Sequence, residues 1–439
     1  MTHQATERPN ILFILADDLG WGDVSYHGSP IRTPSIDRLA STGVELDCHY
    51  VCPLCTPTRA SLLTGCHAGR FGRHATTPSN APVLPDDTYT LPRMLKDTGY
   101  ATALFGKWHL GSDPTFFPGR YGFDVSYGSL AGGVDPYSHR YKEGAYSRSW
   151  HRNGNLVEES GHATDLITDE AVAWIEQQTT PWFCYVPFTA VHTPVRAPEA
   201  WIDRYQDQIY DKDPARDRSF KTYAGYASHM DFCVGKLIET LKCLDQIQNT
   251  IVVFASDNGA VTTNPSADTA KYPGWHEDMP RTGCNDPLRG HKAQLYEGGI
   301  RTPAVVSWPG KLPAGKNSAP LHIVDWMPTF AGLLGCDVPA DVAWDGQNVW
   351  PCLTGGQDAP ERTLYWNLRH NRFAVRSNGW KLIHRPQSGA AEYELFHIGS
   401  DPHESHEISR QHPDVVAELK AHIDREHARD DRAKRHDVE

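Results

Sequence analysis

The chain has 439 residues, of which 39% are hydrophobic and 22% charged; this composition excludes a disordered chain, and the length exceeds what one simple core serves. The net charge of −12, with no segment of interleaved basic and aromatic residues, argues against nucleic acid, so any anionic ligand must be captured by local positive charge. No apolar run is long enough to span a bilayer, and MTHQATERPN lacks the basic and apolar regions of a signal peptide, so a cytoplasmic protein is expected, or a periplasmic or secreted one if a leader has been trimmed away.

In chain order, NILFILADDLG (10–20) is an apolar run that ends abruptly in carboxylates. TPSIDRLASTG (33–43) reads as a helix from Thr33–Pro34 to a Gly43 stop, and YTLPRMLKDTGY (89–100) ends in the same way at Gly99. ATALFGKWHLG (101–111) is a second apolar run with a polar end. A helical stripe follows over 163–178, with Leu166, Ile167, Val172, Trp174 and Ile175 on one face. WFCYVPFTAVHTP (182–194) is the third run. Lys221 to Leu244 is helical again, and IVVFASDNGA (251–260) is the fourth run. Runs of this kind fit strands buried on both faces, and their alternation with helices predicts an α/β fold with a mostly parallel sheet.

After about residue 340 the pattern changes to short strands, with Asn378–Gly379 as a hairpin signal and a final helix from about Pro413 to Ala428. Two units are expected, 1–340 as the α/β catalytic domain and 341–439 as a small antiparallel sheet with one helix. The closing ARDDRAKRHDVE reads as a solvated end.

In open α/β sheets ligands collect at the carboxyl ends of the strands. Four runs here deliver Asp17–Asp18, Lys107 and His109, His192, and Asp257–Asn258 to such ends. Carboxylates and a carboxamide are hard oxygen ligands suited to Ca²⁺ or Mg²⁺, and the lysines and histidines would make an anion pocket. Each residue alone also admits a bland reading, as a turn lysine or a satisfied loop histidine.

CPLCTPTRASLLTG (52–65) leaves more than one reading open. Cys52 and Cys55 have redox spacing without a thioredoxin-like context, and Cys48 and Cys66 are wrongly spaced for zinc. Thr56 as N-cap and Pro57 at the first helical position put Cys55 just before a helix N-terminus, a place that favours an anion. Arg59 in the first turn opposes the helix dipole, which points to a function for it there.

The stretch CTPTRASLLTG resembles the C-x-P-x-R-x-x-L-L-T-G signature of the type I, formylglycine-dependent sulfatases. RPNILFILADDLGWGD, GKWHLG, FASDNGA, LRGHKAQLYEGGIRTP, HIVDWMPTF and YELFHIGSDPHE resemble further landmarks of that family in the same order. The resemblance implies an alkaline-phosphatase-like fold, a large mixed but mostly parallel sheet between helices with the small C-terminal sheet and helix. It implies that Cys55 is oxidised to formylglycine by a formylglycine-generating enzyme. It assigns Asp17, Asp18, Asp257 and Asn258, with modified Cys55, to a Ca²⁺ site in which Mg²⁺ is the alternative.

By the same resemblance, Cys55, Arg59, Lys107, His109, His192 and Lys292 are catalytic. One hydroxyl of the hydrated aldehyde attacks sulfur, with Lys107, His192 and Lys292 on the sulfate oxygens. His192 or Lys292 protonates the leaving alcohol. His109 then takes a proton from the second hydroxyl as sulfate is expelled.

RYGFDVSYGSLAGGVDPYSHRY (120–141) and TAVHTPVRAPE (189–199) resemble the N-acetylgalactosamine-4-sulfatase branch, arylsulfatase B-like enzymes. Tyr137, His139 and Trp150 are candidate sugar contacts there, with ordinary loop packing as the alternative. Residues 260–287 depart from that branch near the expected rim. The expected substrate is a sulfated carbohydrate or an aryl sulfate. The rival readings are a formylglycine-dependent phosphonate or phosphodiester hydrolase, a sulfated-sugar-binding protein with an unmodified thiol, and a zinc or redox protein using Cys48, Cys52, Cys55 and Cys66.

Overall fold

A computed structural model describes residues 8–262, 272, 282–356, 362–386, 392–435 and 437. Most of the 260–287 departure (263–271 and 273–281) lies outside the described residues.

The chain is organised around a ten-stranded sheet. Its spatial order is Gly315–Asn317, Val44–Leu46, Ala304–Ser307, Thr250–Ser256, Asn10–Ala16, Trp182–Pro187, Ala101–Lys107, Val125–Ser129, Trp150–Arg152 and Asn155–Leu156. The run from Thr250–Ser256 to Val125–Ser129 is parallel throughout, and antiparallel pairings flank it. The four expected apolar runs form four of these strands.

Asn10–Ala16 is buried along its whole length because both faces of the sheet are covered. Alternate residues serve opposite faces. Ile11, Phe13 and Leu15 join Leu62, Met94 and Phe330 on one side, whereas Leu12, Ile14 and Ala16 join Ile36, Ile167 and Leu237 on the other. Truncating one of the larger of these side chains, such as Phe13→Ala, would cost about 3–5 kcal/mol.

The expected helices occur as Pro34–Thr42, Leu91–Asp97, Ala163–Ile175 and Pro214–Cys243. The last begins well before Lys221, because the Asp213 side chain accepts from the Ala215 N–H at 2.9 Å and Pro214 fills the first position. No helix among the described residues is long and apolar enough to cross a membrane.

The strands Leu364–Leu368, Arg372–Ser377, Trp380–His384 and Tyr393–His397 form a four-stranded antiparallel sheet. One face packs Trp366, Ile383 and Phe396 against Tyr50, Leu54 and Ile300 from the preceding part of the chain. The other receives Leu419 and Ile423 of the helix Pro413–His427. A buried ion cluster ties this sheet down: Lys381 Nζ lies 2.8 Å from Glu297 and 2.9 Å from Glu404, and Tyr50 donates to Glu297 at 2.7 Å.

The terminal segment differs from expectation. The Ala433 N–H donates to the Arg70 carbonyl at 2.8 Å, and Arg435 donates to the Leu84 carbonyl at 3.0 Å. Arg70, buried, pairs with Asp345 at 3.0 Å, with Asp430 at 2.9 Å and with Glu426. These pairs dock the segment on the large unit, which a charge pattern alone reads as solvated.

Candidate active site

The central parallel strands share one direction, so their carboxyl ends meet at one edge of the sheet. Asp17 and Asp18 follow Asn10–Ala16, and Asp257 and Asn258 follow the adjacent Thr250–Ser256. Lys107 ends Ala101–Lys107, and His192 lies in the loop after Trp182–Pro187. The helix Cys55–Thr64 enters at the same edge with Cys55 as its first residue. Its N-cap is Leu54 rather than Thr56, whose hydroxyl is buried without a partner. Asp18 and His109 take left-handed backbone, φ 64° and 59°, a conformation that such residues hold at some cost when the surroundings require it.

Ligand atoms of Asp17, Asp18, Cys55 and Asp257 all lie within 4.8 Å of one another. Cys55 Sγ is 3.4 Å from Asp17 Oδ1, and Lys107 Nζ donates to Asp17 Oδ2 at 2.6 Å. Arg59 donates to Asp257 Oδ2 at 2.8 Å and to the Lys107 carbonyl at 2.7 Å. Lys292 donates to Asp18 at 2.8 Å, Asn258 Nδ2 donates to the same carboxylate at 2.7 Å, and His192 Nε2 stands 3.8 Å from it.

Burial and the Asp257 charge push the Asp17 carboxyl up to about 7. Burial alone would raise Asp18 too, but Lys292, His192 and Lys107 hold it well below the usual carboxylate range. Burial and Asp257 push up the Cys55 thiol, so as a cysteine it is a poor nucleophile. His109 is lowered by burial and by Lys107, and His192 by burial and by Lys292, so both imidazoles are neutral. Lys292 keeps its proton despite burial because Asp18 stands against it.

The donor set fits a hard divalent cation. Three carboxylates converge with Asn258, whose Oδ1 is buried without a partner while its Nδ2 is engaged by Asp18. Among the described residues, Cys48, Cys52 and Cys66 join no such group, and all ten cysteines are free.

A cavity of about 360 Å³ opens above Cys55, lined at its floor by Asp18, His109, His192 and Lys292. Arg59 and Lys107 do not line it. Both are fully buried beneath, and Arg59 holds Asp257 and the Lys107 carbonyl. The three candidate sugar contacts lie elsewhere. His139 stacks on Trp150 at 4.6 Å, both rings buried, and Tyr137 lies beneath the Arg196 guanidinium at 4.8 Å. All three line a separate cavity, together with Arg140 and Glu158.

Sequence reasoning missed the walls that are present, Tyr141, Lys142, Tyr272, His291 and Arg369. His291 adjoins Lys292 and Tyr141 ends the 120–141 stretch, but no local pattern marks Arg369, which arrives from the small sheet.

Fold and site together define a hydrolase of anionic esters, with a cation-ready carboxylate cluster and a cationic pocket around one modifiable side chain. The family model described as sulfatase matches residues 9–336, and that of the N-sulphoglucosamine sulphohydrolase C-terminal region matches 291–429. Arylsulfatase J of Mus musculus is 31% identical, over 94% of this chain and 75% of its own. N-acetylgalactosamine-6-sulfatase of Canis lupus familiaris is 32% identical, over 92% of this chain and 82% of its own. The solved structure of Ps i-CgsB in complex with k-i-k-neocarrahexaose superposes with a TM-score of 0.84 at 32% identity, covering 98% of this chain and 95% of that one. The chain belongs to the sulfatase family and is a sulfuric ester hydrolase.

Proposed function

We propose that this sulfatase removes sulfate from a sulfated sugar of the galactosamine or galactose type, through a formylglycine made from Cys55 by a formylglycine-generating enzyme. The observation that carries this reading is the convergence of Asp17, Asp18 and Asp257 on Cys55 at the floor of a cavity lined by Lys292 and His192. Relatives named N-acetylgalactosamine-6-sulfatase, and a neighbour solved in complex with k-i-k-neocarrahexaose, support the sugar class. Residues 1–340 would form the catalytic domain and 341–439 the smaller unit.

Formylglycine at position 55 supplies a geminal diol, one oxygen to attack sulfur and the other to expel sulfate. Asp17, Asp18, Asp257 and Asn258 would hold Ca²⁺, or Mg²⁺, which supplies positive charge beside that position. The remaining work falls to the chain itself. Lys292 and His192 face the sulfate oxygens from the cavity floor, and Lys107 adds its charge from behind Asp17. Fixed charges of this kind stabilise a developing anion without reorganisation.

Bound sulfate brings negative charge to His192 and favours its protonated form, so His192 suits the role of donor to the leaving alcohol. Lys292 suits it less, because Asp18 holds its proton. Neutral His109, which lines the cavity and has Nδ1 buried without a partner, suits the role of acceptor for the second proton.

The test is turnover of nitrophenyl sulfate and of a panel of monosulfated sugars, set against a bis-nitrophenyl phosphodiester, with mass spectrometry of the Cys55 peptide. Sulfate ester turnover with an aldehyde at position 55 is expected. A preference for the phosphodiester, or a thiol at 55 in active protein, would reverse the reading.

A further inference from the structure

At the rim of the cavity stands a cation with no part in the chemistry above. Arg369 lines the same cavity as Cys55, His192 and Lys292, yet belongs to the small sheet, in the turn between Leu364–Leu368 and Arg372–Ser377. Arg369 and His370 both take left-handed backbone, φ 56° and 61°. Side chains with a Cβ resist that region, and turns that need it twice in succession favour Asn-Gly. The next turn of the same sheet has that solution, with Asn378 at φ 48° and Gly379 at 79°.

The strained turn is firmly held. The Arg369 N–H donates to the Thr76 carbonyl at 3.2 Å, the His370 N–H to Asn367 Oδ1 at 2.9 Å, and His370 Nε2 lies 3.2 Å from Asp431. It presents an exposed guanidinium that has no ion-pair, hydrogen-bond or ring partner among the described residues. The chain carries 54 Asp and Glu against 42 Lys and Arg, so carboxylates are plentiful, yet none among the described residues is paired with this arginine. Backbone strain kept at a cavity mouth is the pattern of a binding element.

We propose that Arg369 determines specificity by binding a second anionic group of the substrate, a carboxylate or a further sulfate on the sugar that carries the cleaved ester or on its neighbour. This deepens, and rests on, the sulfated-sugar reading. Lys292 and His192 hold the reacting sulfate at the floor, and Arg369 stands at the rim of the same cavity of about 360 Å³. Cationic stations at the floor and at the rim of one cavity, with Lys142 also on its wall, match more than one anionic group of a glycan end better than an isolated ester. The planar fork of a guanidinium suits either oxyanion in a bidentate mode.

The experiment compares kcat/KM for three sulfated disaccharides, with a neutral neighbour, with a uronate neighbour and with a second sulfate. The unaltered enzyme is expected to prefer one of the two dianionic substrates. In Arg369→Gln that preference drops about tenfold or more, the scale of a lost hydrogen bond to a charged group, and Arg369→Lys keeps part of it. The arm that loses its preference identifies the anion.

Arg369→Asn gives a separate readout. Asparagine relaxes the left-handed position, so the melting temperature rises while the preference falls, whereas a merely structural arginine would lower the melting temperature. An unaltered enzyme without preference, an unchanged preference in Arg369→Gln, equal losses on every substrate, or a lower melting temperature in Arg369→Asn overturns the proposal. Nitrophenyl sulfate turnover by the unaltered enzyme reports separately on sulfate ester hydrolysis, so failure of either reading is recognisable by itself.

Discussion

Two buried charge clusters, which approach each other in sequence only at Lys292 and Glu297, differ in kind. At the edge of the large sheet, Asp17, Asp18 and Asp257 meet Arg59, Lys107 and Lys292 around Cys55. Under the small sheet, Lys381 sits between Glu297 and Glu404, all three fully buried. Both contain perturbed carboxyls: Asp17 and Glu404 are each pushed up to about 7, in both cases mainly by burial. The first cluster borders a cavity and leaves Asn258 Oδ1 and Arg59 Nε without partners. The second ties the small sheet to Glu297, and it too holds an atom without a hydrogen-bond partner, Glu404 Oε1, beside the Lys381 charge at 2.9 Å. Perturbed titration and unpartnered polar atoms therefore do not separate a reactive site from a lock; what marks the first cluster is the cavity that opens onto Asp18, Cys55 and Lys292.

Substitutions can break or sharpen that contrast. The largest effect is expected for Cys55→Ser, which lacks the second hydroxyl needed to expel sulfate. Its steady-state turnover should fall on the order of 10⁴-fold or more with the fold intact, measured as product release with circular dichroism. Retained turnover would remove position 55 from the chemistry.

Lys292→Ala and Lys381→Ala form the reciprocal pair. Lys292→Ala should lower kcat/KM by about 10²–10³ with little change in melting. Lys381→Ala leaves Glu297 and Glu404 buried and uncompensated, and should cost about 3–5 kcal/mol in denaturant unfolding while turnover per folded molecule changes far less. An exchange of these phenotypes would dissolve the distinction.

Asp17→Asn should lower both bound divalent metal, read by elemental analysis, and rate, by about 10–100-fold in affinity. Unchanged metal content would take Asp17 off the ligand set.

The smallest effect concerns acid. Burial alone would raise Asp345, but His67 and Arg70 hold it well below the usual carboxylate range. A depressed folded pKa contributes stability above the unfolded value of about 3.9 and loses it as pH falls toward the folded one. Melting curves should therefore show acid destabilisation that Arg70→Ala diminishes; an equal acid slope in that variant would place the effect elsewhere.

Much of the site was legible because strand ends are local. Asp17–Asp18 after NILFILA and Asp257–Asn258 after IVVFAS are visible as an apolar run meeting carboxylates, and the parallel sheet brings such ends to one edge whatever the loops do. The Cys55 motif was legible because it is contiguous. His139 and Trp150 stack on each other away from the cavity above Cys55, which local sequence does not show because aromatic rings look alike whether they face a ligand or each other.

The sequence by itself determined the four central strands, a helix beginning near Cys55 and the ligand types at the strand ends, since each depends on periodicity or neighbouring residues. Only the tertiary structure decided that Arg59 and Lys107 lie beneath the cavity, that the terminal segment docks, and that Arg369 reaches the rim. Those outcomes join residues far apart in the chain, where packing and charge pairing between elements, and no local preference, fix the partner.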